Sequence, residues 1–155
     1  MRGPSYGALL NPSSQVVLLP VQGQQGVAAG TGDNTELTSA AINTKPQGSA
    51  GFMAAILAIA YKTTLTAAAT LKVTIKIQES ADGSNWDAAE TLINAETLKT
   101  GALTNEVGAY ELEIDISTRK QYIRFLITMD LSAGATDVFV YGATLIATGY
   151  DKLPQ

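Results

Sequence analysis

The chain has 155 residues, enough for one domain whose core needs neither a metal nor a disulfide. No histidine and no cysteine is present, which removes the commonest general base, thiol chemistry and thiolate metal sites. Ten basic against fourteen acidic residues leave a net charge of −4, and the only tight basic pair is Arg119–Lys120, which argues against a nucleic-acid partner.

Residues 1–14 carry Gly3, Pro4, Gly7 and Pro12 around Leu9 and Leu10, and predict an extended N-terminal arm. Such an arm is either a loose terminus or a segment that docks on a neighbouring subunit through Tyr6, Leu9 and Leu10. Gln15 to Leu19 is a short apolar run stopped by Pro20, a first strand ending at an edge or bend. Residues 22–34 hold four glycines and Asp33-Asn34, and predict a long loop. Thr35 to Ile42 is the second strand candidate, followed by a turn through Asn43, Lys45, Pro46 and Gly48.

Phe52 to Ala60 is apolar throughout. Its Ala, Met and Leu favour helix, whereas its length and the flanking Gly51 and Thr63-Thr64 favour a buried strand, which is the expectation here. Leu71 to Gln78 alternates apolar and polar residues without a fault, the period of a strand with one buried and one wet face. A weaker strand lies near Trp86 to Leu92; Tyr110 to Ile116 alternates again, and Tyr122 to Met129 and Val138 to Ala147 are rich in β-branched and aromatic residues. Lys72 and Lys76 share one strand face and Glu111, Glu113 and Asp115 another, so the two strands would pair charges if they were neighbours.

These elements predict an all-β domain over residues 15–149: a two-sheet antiparallel β-sandwich of about eight strands, of jelly-roll type, with the arm at 1–14 and a tail at 150–155. Met1 to Tyr6 lacks the apolar stretch of a signal peptide, and the longest apolar run, Gly51 to Tyr61, is far short of the roughly 20 residues that span a bilayer. A product made in the cytoplasm with no membrane partner is therefore expected. Charged residues are only 15 % of the chain, against roughly 25 % on average, a surface suited to contacts within an assembly.

No constellation nominates chemistry. Without histidine, no serine or threonine has its usual activating base, and no acid pair is singled out for glycosidase work, so an enzyme is not expected. Asp82-Gly83-Ser84-Asn85-Trp86-Asp87 offers several oxygens to a cation, but the EF-hand order is absent and Asp-Gly between strands is first a turn signal, so no metal is expected. Gly30-Thr31-Gly32 fails as a dinucleotide fingerprint because no strand leads into it and no helix follows, and no cofactor is expected. Trp86, the only tryptophan, reads as a core anchor or, in a carbohydrate-binding module, as a sugar platform. Tyr6, Tyr110 and Tyr150 are the other aromatic contact candidates.

The run Thr74 to Trp86, in which a strand ending Gln78-Glu79-Ser80 meets the turn Asp82-Gly83-Ser84-Asn85-Trp86, resembles a phrase of small virion proteins of tailed bacteriophages. The strand start Arg119-Lys120-Gln121-Tyr122-Ile123-Arg124-Phe125 and the segment Ala40-Ala41-Ile42-Asn43-Thr44 are similar to that family in the same order, so the resemblance spans residues 38–147. It implies a capsid decoration or cement protein on the outer surface of the mature head, bound to the major capsid protein as a homo-oligomer, a trimer or dimer. Another virion role in tail, neck or fibre, or a carbohydrate-binding or adhesion module, is the alternative. The protein contacts would then come from Tyr6, Leu9, Leu10 and Tyr150.

Overall fold

The computed structural model describes residues 17–45, 51–101, 105–132 and 136–148. Its elements are β1 (Val17–Val27), β2 (Thr35–Thr38), β3 (Ile42–Asn43), β4 (Ala54–Thr64), β5 (Thr70–Ser80), β6 (Glu90–Thr100), β7 (Glu106–Asp115), β8 (Tyr122–Leu131) and β9 (Val138–Thr148), with no helix among the described residues. One sheet has the order β1-β9-β4-β7, and the other the order β2-β8-β5-β6, with β3 also on β8. Every pairing between these strands is antiparallel.

The pairings nest like one long hairpin folded over on itself. β5 pairs with β6, β4 with β7, β2 and β3 with β8, and β1 with β9. Counting β2 and β3 as one interrupted strand, this is an eight-stranded jelly roll, as expected from the alternation. Between the sheets lies one core, in which Leu57, Ile59, Leu71, Val73, Ile75, Ile123, Phe125, Ile127, Met129 and Leu145 are fully buried. Along β5 the alternation of the sequence becomes an alternation of burial, Leu71, Val73, Ile75 and Ile77 inward and Lys72, Thr74, Lys76 and Gln78 outward.

Several elements depart from their sequence expectation. β1 does not stop at Pro20: it runs on to Val27 through a register shift between Pro20 and Gln22, so the first part of the expected 22–34 loop, Gln22 to Val27, is strand. Only an edge strand tolerates a proline in this way, because the missing N–H can face outward and a bulge absorbs the break in the ladder. A strand therefore does lead into Gly30-Thr31-Gly32, although β2 rather than a helix follows it. Candidate strand 35–42 is split, because Ser39 donates its N–H to Phe125 O at 2.8 Å while its Oγ, in place of a carbonyl, accepts Phe125 N–H at 3.0 Å. Phe52–Ala60 is a strand, as its length suggested, shifted to Ala54–Thr64. The weak strand at Trp86 starts four residues later, at Glu90, and pairs with β5 through three register shifts, with Ala95 at φ 49°. Of the turn after β3, Asn43 Oδ1 accepts Lys45 N–H at 2.9 Å; Pro46 and Gly48 lie outside the described residues.

The expected charge ladder does not form. β5 and β7 belong to different sheets, so Lys72 and Lys76 never meet Glu111, Glu113 and Asp115. Lys76 instead reaches over β8 to Glu36 on β2, at 2.7 Å.

Candidate functional site

The three sequence stretches that carry the phage resemblance meet at one end of the sandwich. Ser80 Oγ accepts the N–H groups of Gly83 and Asp82, and Asp82 Oδ1 accepts those of Ser84 and Asn85, both at 2.8 Å, while Oδ2 takes the Asn85 amide at 2.7 Å. These donors, the Asn85 N–H first, hold the Asp82 carboxyl well below the usual range. The loop is thus a self-satisfied turn whose carboxylate oxygens already have protein donors, with Gly83 at φ +77° supplying the left-handed step.

The rest of the cluster ties this turn to the start of β8. Arg119 bonds Glu79 at 2.6 Å and Glu90 at 2.5 Å, and Lys120 bonds Asp87 at 2.7 Å. Arg124 Nε donates to Gln78 Oε1 at 2.9 Å, and its guanidinium carbon stands 4.1 Å from the centre of the Trp86 ring. From the third stretch, the buried Thr44 hydroxyl bonds the carbonyl oxygens of Lys120 and Gln121, each at 3.1 Å. Trp86 is therefore no core anchor. It is half-buried outside the core, and one face of its ring carries Arg124. The motif is an internal clamp, and its polar groups are spent on one another.

Tyr110 is likewise structural. Its hydroxyl donates to Glu96 Oε2 on β6 at 2.7 Å, and partial burial, with the Glu96 bond second, pushes its pKa up to about 12. Tyr61 Oη bonds Leu98 O at 3.1 Å, so two tyrosines stitch the four-stranded sheet to β6 across the sandwich edge. Tyr6, Leu9, Leu10 and Tyr150, the expected contact residues, lie outside the described residues.

What the sequence reading missed is a surface. The outer faces of the two sheets differ sharply. That of the β2-β8-β5-β6 sheet carries Glu36, Lys72, Thr74, Lys76, Arg124 and Thr128. That of the β1-β9-β4-β7 sheet is mostly apolar, with Gln25, Thr144, Lys62 and Thr64 among its outward positions and Glu111, Glu113 and Asp115 along β7. Strand alternation and register place Leu18 beside Ile146 and Ile56, Val27 beside Val138, and Val140 beside Lys62 and Val107. Among the described residues the exposed large hydrophobics are Leu18, Val27, Met53, Val107, Val138 and Val140, and all but Met53 stand on this one face. Val107 is 80 % and Leu18 65 % exposed, in a position where an antiparallel sheet normally turns polar residues to water.

The middle of this face is low. Gly23, Gly142, Ala60 and Ala109 stand side by side across its four strands. A Cβ added at Gly142 would meet nothing within 4 Å, so no contact within the chain requires a glycine there. A cleft of about 410 Å³ opens between Val27, Val138, Val140, Lys62, Thr64 and Asn105, and a shallower hollow of about 390 Å³ adjoins it over Ala60, Gly142 and Val107. Glu111, Glu113 and Asp115 on β7 border the face on one side. Exposed apolar patches of this kind mark contact sites for proteins, membranes or ligands. A sequence signal existed: β4 and β9 are apolar at consecutive positions, which only a strand covered on both faces needs.

The fold is that of a jelly-roll domain, and solved structures of the same architecture are known. No family model matches the chain, and no curated protein matches it. The chain is similar in structure to the infectious bursal disease virus Gt strain, with TM-score 0.52 and 13 % identity over 88 % of this chain and 32 % of that one. It is also similar to the Gx strain of the same virus (TM-score 0.51, 12 % identity, 89 % of this chain and 33 % of that one). The VP2 subviral particle of that virus gives TM-score 0.50 and 12 % identity over 90 % and 34 %. The chain spans about a third of the length of these viral capsid proteins, and the likeness is one of fold. No helix among the described residues is long and apolar enough to cross a membrane.

Proposed function

We propose that the chain is a structural protein of a virion, a capsid decoration or cement protein that binds the outer surface of a mature bacteriophage head. The observation that carries this reading is the apolar outer face of the β1-β9-β4-β7 sheet, set in a chain with only 15 % charged residues. Its jelly-roll fold, shared with capsid proteins that form particles, and the phage-like segments now seen as one structural cluster support it. The partners are the major capsid protein and further copies of the chain, neither nucleic acid nor membrane, and the role involves no catalysis. A protein that binds only the mature lattice stabilises it by mass action, and symmetric oligomers multiply the effect by avidity. The product is made in the host cytoplasm and ends on the outer head surface.

Against the sugar-binding alternative, Arg124 occupies one face of the Trp86 ring on which a sugar would stack. The test is a reconstruction of intact particles, where many copies on the outer head surface are expected. A small ring of copies at the neck or tail would move the chain to the other virion role. Absence from every particle would overturn both.

A further inference from the structure

We propose that the outer face of the β1-β9-β4-β7 sheet is self-complementary and packs on the same face of a second copy, about a two-fold axis that crosses the strands between the Val140–Lys62–Val107 row and the Gly142–Ala60–Ala109 row. This rests on the homo-oligomer part of the reading above, for which it names the surface, and is independent of where in a particle the protein sits.

The register fixes the relief of the face. Val140, Lys62 and Val107 stand side by side on β9, β4 and β7, and the next outward row holds Gly142, Ala60 and Ala109. The first row is a ridge, with Val140 47 % and Val107 80 % exposed. The second is a groove, where a Cβ added at Gly142 would meet nothing within 4 Å. The hollow of about 390 Å³ lies where the two rows adjoin. A half-turn about a line between them lays each ridge in the other copy's groove: Val140 on Gly142, Lys62 on Ala60 and Val107 on Ala109, each contact made twice. The same rotation stacks β9 on β9 and β4 on β4, the aligned arrangement of two packed sheets.

Charge selects the same arrangement. Lys62 has no ion pair among the described residues. Within the chain Glu111 is one strand and two rows from it, about 14 Å. Across the contact, Glu111 of the second copy is one strand and one row from the point Lys62 covers, about 8 Å, which the two side chains can span. Glu113 and Asp115 stand on rows beyond the overlap, so neither faces the second copy. Four overlapping rows across four strands cover roughly 500 Å² per copy, about 1,000 Å² in all, the lower limit for a specific contact, so the dimer dissociates on dilution.

The test uses the full-length chain in sedimentation equilibrium from micromolar to submillimolar concentration, with thermal melting to verify that each variant folds. The parent is expected to pass reversibly from 16.2 kDa to twice that mass and no further, because a two-fold contact closes. Gly142→Val, which fills the groove with a strand-forming side chain, and Val140→Glu are each expected to stay monomeric throughout. Leu18→Ser, at an exposed position beyond the overlap, is expected to leave the dimer unchanged. Lys62→Glu is expected to raise the dissociation constant about tenfold, and Glu111→Lys in the same chain to recover part of the loss. The chain has no cysteine, so a short bis-maleimide can read the register. Val140→Cys mixed with Gly142→Cys should give more of the mixed cross-linked pair than of both like pairs together. A parent monomeric at every concentration, growth beyond the dimer, a dimer indifferent to both face variants, or like pairs that together match the mixed pair overturns the proposal. A monomeric parent whose face variants no longer bind intact heads would give this face to the shell and leave the reading above standing. A dimer in a chain absent from every particle would overturn that reading and leave the inference standing.

Discussion

Replacing Arg119 by alanine removes the cation that joins Glu79 at the end of β5 to Glu90 at the start of β6, and with it two short charge-assisted hydrogen bonds and a longer one to Glu90 at 3.4 Å. Arg119 is 17 % exposed and Glu79 20 %, so the Arg119–Glu79 bond is partly shielded; Glu79 would keep only the Lys120 N–H at 2.8 Å. Glu90 lies slightly closer, at 2.5 against 2.6 Å, but at 55 % exposure solvent screens most of its attraction. Hydrogen bonds to charged groups contribute about 1.5–3 kcal/mol and exposed pairs about 0.2–1 kcal/mol, so Arg119→Ala should cost about 2 kcal/mol. For a domain of this size that lowers the melting temperature by roughly 4–8 °C. Double-mutant cycles in urea, with Glu79→Gln and Glu90→Gln, should then assign the larger coupling to Glu79. A melting temperature within about 1 °C of the parent, or a Glu90 coupling above that of Glu79, would refute the reasoning.

Stability should be flat from about pH 5.5 to 7.5, because the chain has no histidine to titrate there, and should decline below pH 4.5. The Asn85 N–H and its neighbours hold the Asp82 carboxyl down, the Arg119 bond does so for Glu90, whose ordinary value is 4.5, and the Ser117 hydroxyl for Asp115, ordinarily 3.8. Their folded-state values are below the unfolded ones, so their contribution is complete above about pH 4.5 and lost as pH falls through the folded values; a urea midpoint that rises on acidification would contradict this. Among the glycines, Gly142→Ala should leave the melting temperature unchanged or raise it slightly, since the new methyl meets open space in a strand. Gly32→Ala should cost several times the roughly 1 kcal/mol of its backbone strain at φ +83°, because the added Cβ would clash with the backbone carbonyl oxygen of Gln25; equal melting temperatures for the two variants would refute the contrast.

The sandwich was legible because β5, β7 and β8 separate their two faces by residue type, and a period of two survives any change of partner strand. Element ends and pairings were less so. Pro20 reads as a stop unless the strand is known to lie at an edge, and edge position is a property of the assembled sheet. β6, Glu-Thr-Leu-Ile-Asn-Ala-Glu-Thr-Leu-Lys-Thr, has no strict alternation, and its bulged pairing with β5 shows why no clean period was required of it. Lys76 and Glu36 are 40 positions apart and meet only because both flank β8. The apolar face was hidden for a related reason. Val138, Val140, Ala58 and Ala60 read as core from composition, and only the winding of the chain decides which of a strand's two faces meets the opposite sheet.

That winding also dictates an order of events during synthesis. Val17 pairs with Ala147, 130 positions later, and β9 lies between β1 and β4 in the finished sheet. Among the described strands the first made thus waits for the last, and until β9 has been made β1 lacks its described partner while β4 lacks one on one side. Topologies dominated by such distant pairings fold on millisecond to second timescales, paying loop-closure entropy before the contacts form. The β5–β6 hairpin, clamped by Asp82, can close early and template the pairs outward from it. A chain cut short before Val138 would retain that hairpin and lose the sheet that carries the apolar face.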